Sequence, residues 1–111
     1  MTPVYVIKKD GRREKFQRNK IKNGITKALE KRPIGHDKIE EMLDSIEEKI
    51  RRTGKEEIES SVIGEYVMNL LKKTDQVAYI RFASVYRSFT DVSSFEKEVK
   101  NLTEQKILQE R

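Results

Sequence analysis

The chain of 111 residues reads as an α+β domain: a small β-hairpin, with room for a third short strand, packed on a bundle of four to five helices. Three observations predict this class. The β-branched and aromatic run Val4-Tyr5-Val6-Ile7 meets Asp10-Gly11 and returns through Arg13 to Phe16, a strand, tight turn and strand. From Ile21 onward the apolar residues recur at helical spacing, segment after segment. The composition, 35% hydrophobic against 39% charged, allows a modest core, so the helices must be amphipathic with heavily charged outer faces.

The hairpin gathers Lys8, Lys9, Arg12 and Arg13, a cationic cluster that suits a polyphosphate or, equally on pattern alone, a solvated edge protected by lysines. Asn19 precedes Ile21, Ile25, Ala28 and Leu29, a first helix with Lys20 in its opening turn, where free N–H groups and the positive dipole end favour anions. Asp37 is positioned to cap a second helix with the stripe Ile39, Met42, Leu43, Ile46 and Ile50, and Gly54 stands at its C-terminal stop. Its other face, Glu40, Glu41, Asp44, Glu47 and Glu48, reads as exposed and acidic. Ser60 and Ser61 open a third helix that turns Ile63, Val67, Leu70 and Leu71 inward and ends on Lys72 and Lys73. Gly64 inside it costs about 1 kcal/mol relative to Ala, which the close approach of a ligand or a neighbouring helix would explain. Asp75 caps a fourth helix with two stripes, Val77, Ile80, Ala83 and Ser84 on one and Tyr79, Phe82 and Tyr86 on the other; Arg81 and Arg87 add polar ends. A last helix over 94–108 sets Phe95, Val99 and Leu102 on one face. Residues 1–100 form the domain and 101–111 a charged helical extension or tail.

Charge is unevenly spread. Residues 1–32 hold eleven Lys or Arg against three acids, 33–59 hold five against nine, and 60–111 hold eight against seven. The positive field of the hairpin and first helix would attract a nucleotide or a nucleic acid alike, but the hairpin has no dedicated aromatic stacking platform, which favours the nucleotide. Catalysis finds no support: there is no Ser-His-Asp set, no cysteine and no phosphate loop, and His36 stands alone in a loop after Pro33 and Gly35. No apolar run approaches the roughly 20 residues of a membrane span and no signal peptide is visible, so a cytoplasmic protein is expected.

The stretches V-I-K-K-D-G, Glu14, Phe16 and N-K-I at 19–21 resemble the opening of the ATP-cone, a small adenine-nucleotide-sensing domain. A-L-E-K-R-P at 28–33, I-G-E-Y-V-M at 63–68 and, above all, V-A-Y-I-R-F-A-S-V-Y-R-S-F at 77–89 are similar to the cone of the NrdR family, bacterial repressors of ribonucleotide reductase genes. The likeness runs from about Thr2 to about Val99. The regulatory cone of a ribonucleotide reductase is the second reading, and a basic nucleic-acid-binding module the third. NrdR repressors carry an N-terminal zinc ribbon on four cysteines; this chain has none, so zinc is expected only in that absent ribbon. Met1-Thr2-Pro3 stands about where a cone would begin after it, which points to an isolated sensor domain, whether an expressed piece or a natural ribbon-less homologue.

The resemblance also implies a ligand site. Lys8 and Lys9 match two basic positions that contact phosphates, Lys20 the helix-one lysine on the triphosphate, and Glu14 the acid that accepts from the adenine amino group. Gln17 occupies a position near the base, Ser60 offers a hydroxyl at the start of the third helix, and Tyr86 lies where the fourth helix closes the pocket. The implied ligands are ATP and dATP, with Mg2+ accompanying the nucleotide. The implied partners are a second copy of the chain and operator DNA, the latter through the full-length protein, with nucleotide shifting the oligomer and so the DNA affinity.

Overall fold

The computed structural model describes residues 3–87 and 92–110, the last six of these by backbone alone. Eight elements follow in order: β1 (Tyr5–Ile7), β2 (Arg13–Lys15), α1 (Arg18–Ala28), α2 (His36–Thr53), β3 (Glu57–Glu59), α3 (Ser60–Thr74), α4 (Gln76–Tyr86) and α5 (Val92–Glu110). The three strands form one mixed sheet in the order β2-β1-β3.

β1 and β2 are antiparallel with Val6 opposite Glu14, and β3 lies parallel to β1 with Ile58 opposite Val6. Val6 and Ile58 are buried, so the central pair turns one face to the helices. On β1 the alternating residue Tyr5 carries the Arg13 guanidinium 3.7 Å above its ring, while Arg13 Nε donates to Glu57 at 3.0 Å. Arg13 is thereby committed to its own sheet.

The hairpin expected at Asp10-Gly11 forms, and its turn spans four residues. Gly11 N–H donates to the Lys8 carbonyl at 2.9 Å and Lys8 N–H to the Arg12 carbonyl at 2.8 Å. Gly11 sits at φ 88° while Asp10 keeps a negative φ, so a turn over Lys8 to Gly11 is followed by a left-handed glycine. The Asp10 carboxylate accepts from Arg12 N–H (3.0 Å) and Arg12 Nε (2.7 Å), closing the loop; the Arg12 N–H is the main reason this carboxyl lies below its ordinary range.

The core is the meeting of the helical stripes: Ile25, Leu43, Ile46, Met68 and Leu71 are fully buried, and all five expected apolar positions of α2 are buried. Gly54 ends α2 in the left-handed conformation at φ 65°. Asp75 caps α4, accepting from Ala78 N–H at 2.9 Å, and Arg32 Nε grips the same carboxylate at 2.8 Å.

Several boundaries move. α1 starts with Gln17 as an extended N-cap, not at Asn19, because the chain enters the helix two residues after β2 ends; Lys20 remains in the first turn. α2 begins at His36 after Gly35, which places Asp37 inside the first turn, favourable to the dipole, and His36 on the helix 3.5 Å from Glu40. The acidic face of α2 is partly covered, since Arg18 reaches Glu40 (2.6 Å), Asp44 (2.9 Å) and Glu47 (3.1 Å), and Lys22 reaches Glu40 at 2.8 Å. In α4 the buried positions are Ala78, Tyr79 and Ala83, with Val77 41% exposed: two small alanines let the helix come close to α1 and α3. α5 spans 92–110 as one helix and buries Leu102, while Phe95 and Val99 stay at the surface.

Candidate functional site

The chain from Lys8 to Lys20 runs hairpin loop, β2 and first helical turn, and this short path folds around one hollow of about 510 Å³. Its volume is that of an ordinary small-molecule pocket. All seven residues singled out from the sequence line it: Lys8 and Lys9 from the loop, Glu14 from β2, Gln17 at the start of α1, Lys20 in its first turn, Ser60 opening α3 and Tyr86 ending α4. The hairpin and α1 supply the charge, whereas Ile63, Val67 and Phe82 of α3 and α4 supply apolar wall.

Several of the polar groups are already engaged. Glu14 is the centre of a triad, ion-paired with Lys20 and with Lys8 at 3.6 Å. Arg12 also lines the hollow but is held by Asp10. Gln17 caps α1 without a side-chain hydrogen bond, and no acidic residue occupies the first turn, so the positive end of the helix is not neutralised locally. Tyr86 donates its hydroxyl to the Ser61 carbonyl at 2.8 Å; burial, with Glu65 nearby, pushes that hydroxyl above its ordinary range and keeps it a donor.

Phe82 and Tyr86 stack with ring centroids 6.0 Å apart and form a partition. Behind it lies a second hollow of about 540 Å³, which shares Gly24, Phe82 and Tyr86 with the first and adds Lys27, Lys31 and Arg81. Arg81 donates to the carbonyls of Ala28 (3.1 Å) and Glu30 (2.7 Å), tying the end of α1 to α4. Phe82 and Gly24 were not singled out as site residues: a Cβ at Gly24 would lie 3.5 Å from the Phe82 ring, a helix-to-helix contact that no local pattern reveals. Gly64 was singled out, and its close neighbour is the Tyr86 ring. Among the described residues no group of His, Cys, Asp and Glu is arranged to hold a metal, and no helix is long and apolar enough to cross a membrane.

The ATP cone domain family matches residues 4–92, from just before β1 to the first residue of α5. The transcriptional repressor NrdR of Thermotoga neapolitana is 61% identical over 104 residues, covering 94% of this chain and 67% of its own length. The NrdR repressor of Desulforapulum autotrophicum is 55% identical over 109 residues (98% and 66%), and that of Limosilactobacillus fermentum 54% over 101 residues (91% and 66%). The chain thus spans about two thirds of the length of these relatives, which are named as repressors and not as enzymes. A three-stranded mixed sheet on five helices, a charged hollow between hairpin and first helix, and these matches agree: the chain belongs to the ATP-cone family, in the form carried by the NrdR repressors.

Proposed function

We propose that the hollow beside the hairpin binds an adenine nucleotide, ATP or dATP, as the sensing step of a transcriptional repressor of ribonucleotide reductase genes. The observation that carries this reading is the convergence of Lys8, Lys9 and Lys20 with Glu14 on one cavity, with an aromatic wall opposite. The lysines take phosphate oxygens as charge-assisted donors, and Glu14 accepts from the adenine amino group. Gln17 and Ser60 are polar groups within reach of base and sugar or phosphate, and Tyr86 closes the end. Magnesium belongs to this scheme as a companion of the phosphates.

A sensor without catalytic groups acts by stabilising one arrangement over another. Nucleotide in the hollow changes how two cones pair, and in the full-length repressor that changes the assembly presented to operator DNA. Calorimetry with ATP and dATP tests the first step: Lys8→Ala and Lys20→Ala should each weaken binding by about 1.5–3 kcal/mol with the fold intact. Light scattering of the free, ATP-bound and dATP-bound forms at matched concentration tests the second. Unchanged affinity in both variants would remove the site, and a monomer in all three states would remove this domain as the source of the switch.

A further inference from the structure

We propose that Glu14 makes the site a coincidence detector, one that yields its lysines to phosphate only when the ligand also brings an amino donor; the inference rests on the adenine-nucleotide reading. The ground is the triad itself. Glu14 is paired with both Lys8, at 3.6 Å, and Lys20, so the carboxylate occupies the place on two ammonium groups that phosphate oxygens would take. Both Lys8 and Glu14 are about one third exposed, and Lys20 is 56% exposed, so the lysines can turn to a ligand without dismantling the fold.

The consequence is an exchange. A phosphate that captures Lys8 and Lys20 strips Glu14 of its counter-charges and leaves a free carboxylate facing an incoming polyanion, a like-charge contact in a partly desolvated hollow. Of the other cations lining the hollow, Arg12 is already bound by Asp10 at 2.7 Å, and Lys9 and Lys15 would have to turn from phosphate to Glu14 to relieve it. A base with its amino group at C6, as in adenine, gives Glu14 a replacement donor; bare polyphosphate gives none, and guanine offers the O6 acceptor at that ring position. Base recognition and phosphate grip are then one coupled event, and removing the Glu14 charge should move the two in opposite directions.

Calorimetry at one fixed salt concentration, with ATP, GTP and inorganic tripolyphosphate as probes, distinguishes the outcomes. Glu14→Gln should bind tripolyphosphate about tenfold more tightly than the parent, as two lysines lose their internal partner, while its ATP-to-GTP ratio falls towards one. Glu14→Asp, which keeps the charge, should not tighten tripolyphosphate. If Glu14→Gln loses base discrimination but binds tripolyphosphate no better than the parent, Glu14 is a plain base contact and the coincidence mechanism is wrong. If the parent protein binds neither ATP nor tripolyphosphate, or if Lys20→Ala changes neither, the nucleotide reading falls and this inference with it.

Discussion

The Tyr86 ring lies directly on Gly64: a methyl group at position 64 would stand 2.5 Å from Cζ and 2.9 Å from the hydroxyl oxygen. This contact is why a helix interior tolerates glycine here, and it seats the end of α4 against the beginning of α3 at the wall of the cavity. Gly64→Ala should therefore have a background-dependent sign. In the parent it forces the ring away and breaks the Tyr86 bond to the Ser61 carbonyl, costing about 1 kcal/mol after the better helix propensity of alanine is counted. With Tyr86→Ala already in place it should stabilise by about 0.5–1 kcal/mol. Denaturant unfolding of the four proteins measures both numbers, and equal effects in the two backgrounds would show that the contact is not the reason for the glycine.

The link from Arg18 to α2 gives a prediction in acid. Hydrogen bonds from Lys22 and Arg18 hold the Glu40 carboxyl down at about 2, well below its ordinary 4.5. A depressed folded value means stability that is present above pH 4.5 and drains away as pH falls towards 2. The same Arg18 draws on Asp44 and Glu47, so Arg18→Ala takes one shared cation from three carboxylates, leaving Glu40 to Lys22 and Glu47 to Arg51, and should lower the melting temperature by roughly 4–8 °C at neutral pH, less at high salt. Glu40→Gln should flatten the acid limb between pH 4.5 and 2. A melting-temperature profile that keeps its full acid slope in that variant would mean Glu40 is not among the groups that set it.

The α2 stripe and the helix ends at Gly54 and Asp75 were legible because their causes lie within a few residues, whereas the starts expected at Asn19 and Asp37 moved. The spacing Ile39, Met42, Leu43, Ile46 and Ile50 is a local record of one buried face, and Gly54 and Asp75 each mark an end through their own chemistry. A third short strand was allowed for, but its place was not legible: Glu57-Ile58-Glu59 has one apolar residue between two acids, and it becomes a strand because Ile58 pairs beside Val6 more than fifty residues away. The same division holds in the site. Lys8, Glu14, Gln17 and Lys20 fall within one short stretch, so a resemblance over that stretch could name them together. Phe82 above Gly24, and Arg18 among the acids of α2, depend on which helices meet, and helical spacing gives the face but not the neighbour. Val77 and Ala78 show the limit of the face itself, since one residue of rotation about α4 exchanges them.

Asp75 does two tasks that substitution can separate. Burial pushes its carboxyl up, but the Ala78 N–H and the Arg32 guanidinium more than offset this and hold it below its ordinary value. Asp75→Ser keeps a capping oxygen for α4 and gives up the charge on Arg32, whereas Asp75→Ala gives up both. The alanine variant should be less stable than the serine variant by about 1 kcal/mol, the worth of a helix cap. Equal denaturation midpoints would place all of the effect of Asp75 in its bond to Arg32.

Tyr79 connects α4 to α5 and sets an alkaline limit. Its hydroxyl donates to Glu98, which also takes Arg87 Nη1 at 3.0 Å, and the tyrosine is buried to 3% exposure. Burial first and the Glu98 carboxylate second push the phenol up to about 12 from an ordinary 10. A raised folded value means that the contribution is whole below pH 10 and is lost as pH rises through 12. Tyr79→Phe keeps the ring, removes the bond, and should cost about 1.5 kcal/mol at neutral pH, because a hydrogen bond to a charged acceptor is given up. The amides of α5 should exchange faster in that variant, as the helix is then held to α4 by packing and by Arg87. Tyrosinate absorbance gives the complementary reading: one phenol of the folded parent should resist ionisation until about pH 12, and that late step should be missing from Tyr79→Phe. Should no phenol resist ionisation until about pH 12 while α5 stays protected from exchange, the Tyr79 to Glu98 bond would not be what secures the helix.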